Sequence, residues 1–167
     1  MESNSTFSKL IVSKIIDLFP RYLGFCDRSE SSRTFGCFDR YYWHYKQKDF
    51  PNVRFQEALY LLTLAFNNPF PDSFYYQNEK LRKWIEGSIE FFFKIQNKDG
   101  SFNELYPYER SFCGTAFSTY LITEASLAID YQVSDKIVKT GNWLLNNNNN
   151  EVVNQLLQRL WRYITFI

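Results

Sequence analysis

The helix-forming stretches of this chain alternate between charge-rich and nearly charge-free, and that alternation restricts the fold more than any other feature. Between Asn78 and Gln96, Leu81, Trp84, Ile85, Ile89 and Phe92 recur at spacings of three and four, while Glu79, Lys80, Arg82, Lys83, Glu86, Glu90 and Lys94 fill the other positions. That pattern predicts a surface helix with one buried stripe. The stretch from Ser111 to Ile129 differs, because Glu124 is its only charge, and from Phe55 to Phe66 the only charge is Glu57. Helices apolar all round are expected to be buried on every side. The segments around Lys9, Lys14 and Asp17, and around Asp135, Lys136 and Lys139, are again expected to be solvated on one face.

Six helical segments follow from these patterns. They run from Thr6 to Phe19, stopped by Pro20; from Val53 to Phe66, ended by Asn67, Asn68 and Pro69; from the N-cap Asn78 to Gln96; from Ser111 to Ile129; from Ser134 into the run Asn146 to Asn150; and from Glu151 to the end. Period-2 alternation bounded by turns is hard to find, so the expected fold class is all-α, a single helical domain over residues 1–167. The order outer, inner, outer, inner, outer describes antiparallel hairpins in two concentric layers. Every outer-to-inner connection then lies at one end, and both such connections, Pro20 to Asn52 and Asn97 to Arg110, are long and rich in aromatic and charged residues.

Composition narrows the function classes. The net charge of +1 comes without a basic stripe, so nucleic acid is not an expected partner. No uncharged apolar run of roughly 18 residues exists, so no membrane partner is expected either. Cys26, Cys37 and Cys113 form neither a disulfide framework nor a zinc pattern. Buried reduced thiols and the lack of a signal-like start give a cytoplasmic expectation, with no metal and no cofactor.

The two long connections hold the candidate site. The first contains Asp39, Arg40, Tyr42, Trp43 and His44, the only histidine of the chain. His44 has the right proton affinity for acid–base work near neutral pH, and equally for a hydrogen bond inside an aromatic loop. Asp39 and Arg40 fit polar substrate groups or a local turn, and Trp43 fits a sugar platform or a packing role. The second connection contains Tyr106, Glu109 and Arg110. Glu109 just ahead of a helix is expected to be held ionised by the helix dipole, as a base or as a cap paired with Arg110. Glu109, His44, Asp39 and Tyr106 are therefore the catalytic candidates, and Arg40, Tyr42, Trp43 and Arg110 the substrate-binding ones.

One motif points to a family. Gln96-Asn97-Lys98-Asp99-Gly100-Ser101-Phe102 resembles the Gln…Asp-Gly-Ser-Trp/Phe repeat of the terpenoid cyclase and protein prenyltransferase superfamily, an α/α toroid. In that repeat the glutamine caps helix ends and the aromatic stacks on it. The resemblance spans one repeat, from Glu79 to Ile129. The Asp-x-Asp-Asp motif of squalene-type cyclases and the zinc ligands of prenyltransferases are absent, so neither activity is implied. Such toroids close with about a dozen helices, so six imply an incomplete barrel with exposed inner helices open to self-association. The same architecture serves polysaccharide lyases and glycosidases, and the tyrosine-rich loops look more like those.

The leading expectation is a toroid that acts on or binds a polysaccharide or its precursor. The alternatives are a non-catalytic helical scaffold or truncated remnant, and an isoprenoid-binding toroid. Residues 146–167 are read as an altered or truncated tail. Back-translated and read one frame over, the end of the chain gives a small, apolar sequence like the inner helices, as a frameshift near Gln155 in a longer parent would produce.

Overall fold

The computed structural model describes residues 2–70 and 73–147. The protein is all-helical there, with no strand among the described residues. Its elements are α1 (Glu2–Leu23), α2 (Arg40–Trp43), a 3-10 turn (Val53–Glu57), α3 (Ala58–Asn67), α4 (Glu79–Lys94), α5 (Phe112–Ala128) and α6 (Ser134–Asn146). The helix expected from Glu151 onward lies outside the described residues.

Local chemistry sets most of these boundaries. Asn78 caps α4 by accepting from the Lys80 and Leu81 amides, and Ser111 caps α5 by accepting from Gly114. One expected stop fails: Pro20 lies inside α1. It falls in the last turn, where Gly24 N closes on its carbonyl at 3.0 Å and buried Phe19 and Leu23 anchor the chain on either side. The single lost N–H is tolerated near a helix end far better than in the middle.

Side-chain ties fix the directions of the helices. Glu57, at the start of α3, accepts from Ser118 in the first half of α5 (2.8 Å). Asn67, at the end of α3, donates to the Ala128 carbonyl at the end of α5 (2.8 Å). The two helices are therefore parallel. Arg82, in the first turn of α4, donates to Ile129 O (3.0 Å), so α4 runs opposite to both. On α6, which also runs opposite to α5, Trp143 makes a tilted ring contact with Phe112 at the start of α5 (6.0 Å). The core lies between the helices, where Leu59, Leu62, Leu81, Ile85, Ile89, Phe92 and Ile122 are wholly or almost wholly buried.

The charge-poor helices do not follow expectation in full, because α3 and α5 are not buried on every side. What α5 buries is small: Gly114, Thr115, Ala116, Ser118, Thr119, Thr123, Ala125 and Ser126, with Ile122. Small side chains let backbones approach closely and leave the larger ones to the other face. Phe117 is accordingly 37% exposed, Leu127 42%, and Leu64 on α3 38%.

The Gln96–Phe102 segment is structural. Gln96 reaches across to α6, donating to Lys136 O (3.1 Å) and Thr140 Oγ1 (2.7 Å). Asp99 Oδ1 accepts from Ser101 N and Oγ, and Gly100 takes a positive φ of 102° against the Lys139 carbonyl. Phe102 is fully buried and stacks on Phe92 at 4.2 Å.

Candidate functional site

The two long connections meet at one end of the helical array. Val53 N donates to Asn103 O (3.1 Å), and Arg110 N donates to Asn103 Oδ1 (3.2 Å). Asp39 joins the same relay by accepting from Asn52 N (3.0 Å). It is fully buried, caps α2 through Tyr41 N, and is neutralised by Lys48 Nζ at 2.8 Å. These three partners all belong to its own loop.

The other first-loop candidates turn elsewhere. His44 is exposed, with its ring between those of Trp43 (5.1 Å) and Tyr45 (5.0 Å). Trp43 is half-buried, and its indole N–H donates to Phe25 O (2.8 Å). Arg40 lays its guanidinium over Tyr45, leaving a buried Nε without a partner among the described residues. Tyr42 is half-buried beside them.

Glu109 does not face the α5 N-terminus. Its Oε2 turns back into its own loop and accepts from the amides of Glu104, Leu105 and Tyr106. Desolvation pushes its pKa up, but the three N–H donors together outweigh that and hold it below the usual glutamate range. Arg110 pairs with Asp99 (3.2 Å), not with Glu109. Tyr106 is 68% exposed and Tyr108 87%. Both Tyr108 (φ 63°) and Arg110 (φ 54°) occupy the left-handed region, a concentration of backbone strain in one short loop. Among the described residues, no two of the eight candidate side chains hydrogen-bond or ion-pair with each other. Trp43 and His44 are in ring contact.

A different constellation forms where the loops meet. Arg54 Nη1 binds Glu57 Oε1 at 3.0 Å, its Nε lies 3.9 Å from Glu104 Oε1, and its guanidinium lies over the Phe117 ring at 5.0 Å. Glu104 Oε2 accepts from Ser111 Oγ (2.7 Å), and Glu57 Oε1 accepts from Ser118 Oγ (2.8 Å). Burial pushes the Glu57 carboxyl up, assisted by Glu104 and opposed by Ser118 and Arg54. The result is a half-buried carboxylate pair held apart by one arginine on an aromatic face. The sequence signal was thin: Glu57 stood out as the lone charge of its helix, and Arg54 precedes it by three.

No group of three or more His, Cys, Asp or Glu side chains among the described residues is placed to hold a metal ion. Cys26 and Cys37 are buried, with the Cys26 thiol pushed up to about 12 by desolvation, whereas Cys113 is exposed against expectation. No described helix is long and apolar enough to cross a membrane. An open groove of about 520 Å³ beside α4 is lined by Glu30, Phe35, Glu90, Lys94 and Lys136, but Lys94 is held by Arg33 O and Lys136 lies over Phe93. No family model, no curated protein and no solved structure matches this chain.

Proposed function

We propose that this chain is part of an incomplete α/α toroid that binds a polysaccharide, or the precursor of one, at the end where Arg54, Glu57 and Glu104 meet. The observation that carries the reading is the stacking of Arg54 on Phe117 while its N–H groups address two carboxylates. A sugar ring presents an apolar face and a rim of hydroxyls. A fixed array of donors and acceptors beside an aromatic face suits both. Exposed Tyr106 and Tyr108 are on the loop that supplies Glu104.

Of the carboxylates here, Glu57 is better suited than Glu109 to hold a proton, because burial raises the one while three amides depress the other. His44 and Trp43 then serve the packing of their own loop, and the platform role passes to the tyrosines.

The exposed apolar side chains of α3 and α5 favour a second reading, an isoprenoid ligand along that face. One titration series separates the two. Soluble neutral and uronic-acid polysaccharides are titrated into the wild type, Arg54→Ala and Tyr108→Ala. Saturable binding weakened at least tenfold by each substitution, ~1.4 kcal/mol or more, is the expected result. Absence of glycan binding with retention of a prenyl diphosphate supports the second reading, and silence toward both leaves a non-catalytic scaffold.

A further inference from the structure

The surface of α1 carries an apolar seam that the rest of the described residues leave open. Ile11, Ile15, Leu18 and Tyr22 recur at spacings of four, three and four, so they line up along one face of the helix. All of them are exposed, between 36% and 46%. The buried residues Phe19 and Leu23 lie on the adjacent face, where Phe19 packs on Tyr75 at 4.2 Å. The apolar arc of α1 is therefore wider than the part the described residues cover, and an isolated exposed Leu would need no such account.

The flank of the seam carries a net positive charge, Lys14 and Arg21 against Asp17. Lys14 is four residues before Leu18, and Arg21 is three after it, so both border the same side. Lys14 has Asp17 at only 4.0 Å, with both side chains largely exposed, an arrangement that does little to neutralise it. Self-pairing fits this flank poorly. In an antiparallel pair of α1 helices the same flank of the two copies meets, and each brings two bases, Lys14 and Arg21, against one acid, Asp17, so like net charges face each other. In a parallel pair they face the side that holds Phe19, which is already buried and offers no acid.

We infer that α1 lies on an anionic lipid surface, with Ile11, Ile15, Leu18 and Tyr22 set into the headgroup boundary and Lys14 and Arg21 on the phosphates. Tyrosine suits that boundary because its ring is apolar and its hydroxyl stays wet. No spanning helix is needed, so the contact is peripheral, and it is independent of the glycan reading.

Co-sedimentation of the full chain with vesicles tests this. Vesicles of phosphatidylcholine alone are compared with vesicles containing about a third phosphatidylglycerol, at low and at physiological salt. Binding to the anionic vesicles only, weakened by salt, is expected. Leu18→Asp should reduce it at least tenfold, and Lys14→Glu with Arg21→Glu should do the same. Because these side chains are exposed, circular dichroism and thermal midpoints should match the wild type; Ile11→Asp replaces Leu18→Asp if they do not. Absence of vesicle binding overturns the inference, as does binding indifferent to both sets of substitutions. A dimer in light scattering that Leu18→Asp dissociates, without vesicle binding, assigns the seam to a second copy and also overturns it. So does binding to heparin as strong as to vesicles and unaffected by Leu18→Asp.

Discussion

The side-chain amide of Gln56 donates to the main-chain carbonyl of Ser88 across 3.2 Å, at a site where Gln56 is 1% exposed. The same nitrogen donates to Gly36 O (3.1 Å), and Oε1 accepts from Phe38 N (2.7 Å). One side chain thus satisfies three buried backbone groups from two distant segments, the 36–38 loop and α4. Gln56→Leu keeps the size and removes every bond. It is expected to lower the unfolding free energy by about 3 kcal/mol, read by urea titration, since each orphaned buried group costs ~1 kcal/mol or more. A loss within ~0.5 kcal/mol would show that these groups find other partners.

Close contact between Gly87 and Phe35 gives a second prediction. A Cβ built on Gly87 would lie 2.2 Å from the Phe35 ring. Gly87→Ala should destabilise by about 1–3 kcal/mol through overpacking. Combining it with Phe35→Ala should give less than the sum of the two single losses, a coupling that a double-mutant cycle measures. Strict additivity would place the clash elsewhere.

Glu109 makes the loop from 104 to 109 sensitive to acid. Its folded pKa is depressed below the usual 4.5, so the stability it contributes is present above that value and is lost as pH falls through the folded pKa. Glu109→Gln should therefore be less stable than the wild type at neutral pH, and the gap should close on acidification below about 4. Denaturant midpoints across that range check the convergence. A gap that stays constant would mean that ionisation of Glu109 plays no part.

Tyr108 carries strain and exposure together. At φ 63° and 87% exposed, it gains little from packing while holding a conformation that glycine adopts freely. Tyr108→Gly should leave stability unchanged or raise it by up to ~1 kcal/mol, seen as a higher thermal midpoint. Under the glycan reading the same substitution weakens binding. A fall in both quantities would assign Tyr108 a packing role.

The cysteines should separate by reactivity. In the native state one thiol, that of exposed Cys113, should react rapidly with a disulfide reagent, and Cys26 and Cys37 only after unfolding. Rapid titration of all three natively would mean that the loop around Asp27 opens readily.

Much of the helical layout was legible because its signals are local. The charge stripe of α4 and the caps Asn78 and Ser111 set boundaries within a few residues of those observed. Pro20 misled because a stop signal was weighed without the tertiary anchors Phe19 and Leu23. The low charge of α5 was read as burial all round, whereas its small residues carry the burial and Phe117 stays outside. The Arg54–Glu57–Glu104 group was hidden for another reason. Glu104 comes from a loop remote in sequence from Glu57, and no spacing rule links them before the fold does. The eight candidates chosen from loop composition share an end of the molecule in part, through Asp39 and Arg110, but not a common centre.

The parallel course of α3 and α5, with α4 reversed between them in the chain, has a bearing on how damage spreads. α5 packs on both α3 and α6, and α6 is also tied to the end of α4 through Gln96. Loosening α6 should therefore reach α5 and the Gln96–Phe102 turn first and the α1 end last. The molecule is expected to come apart in that order, and its hydrogen-exchange rates would read it out.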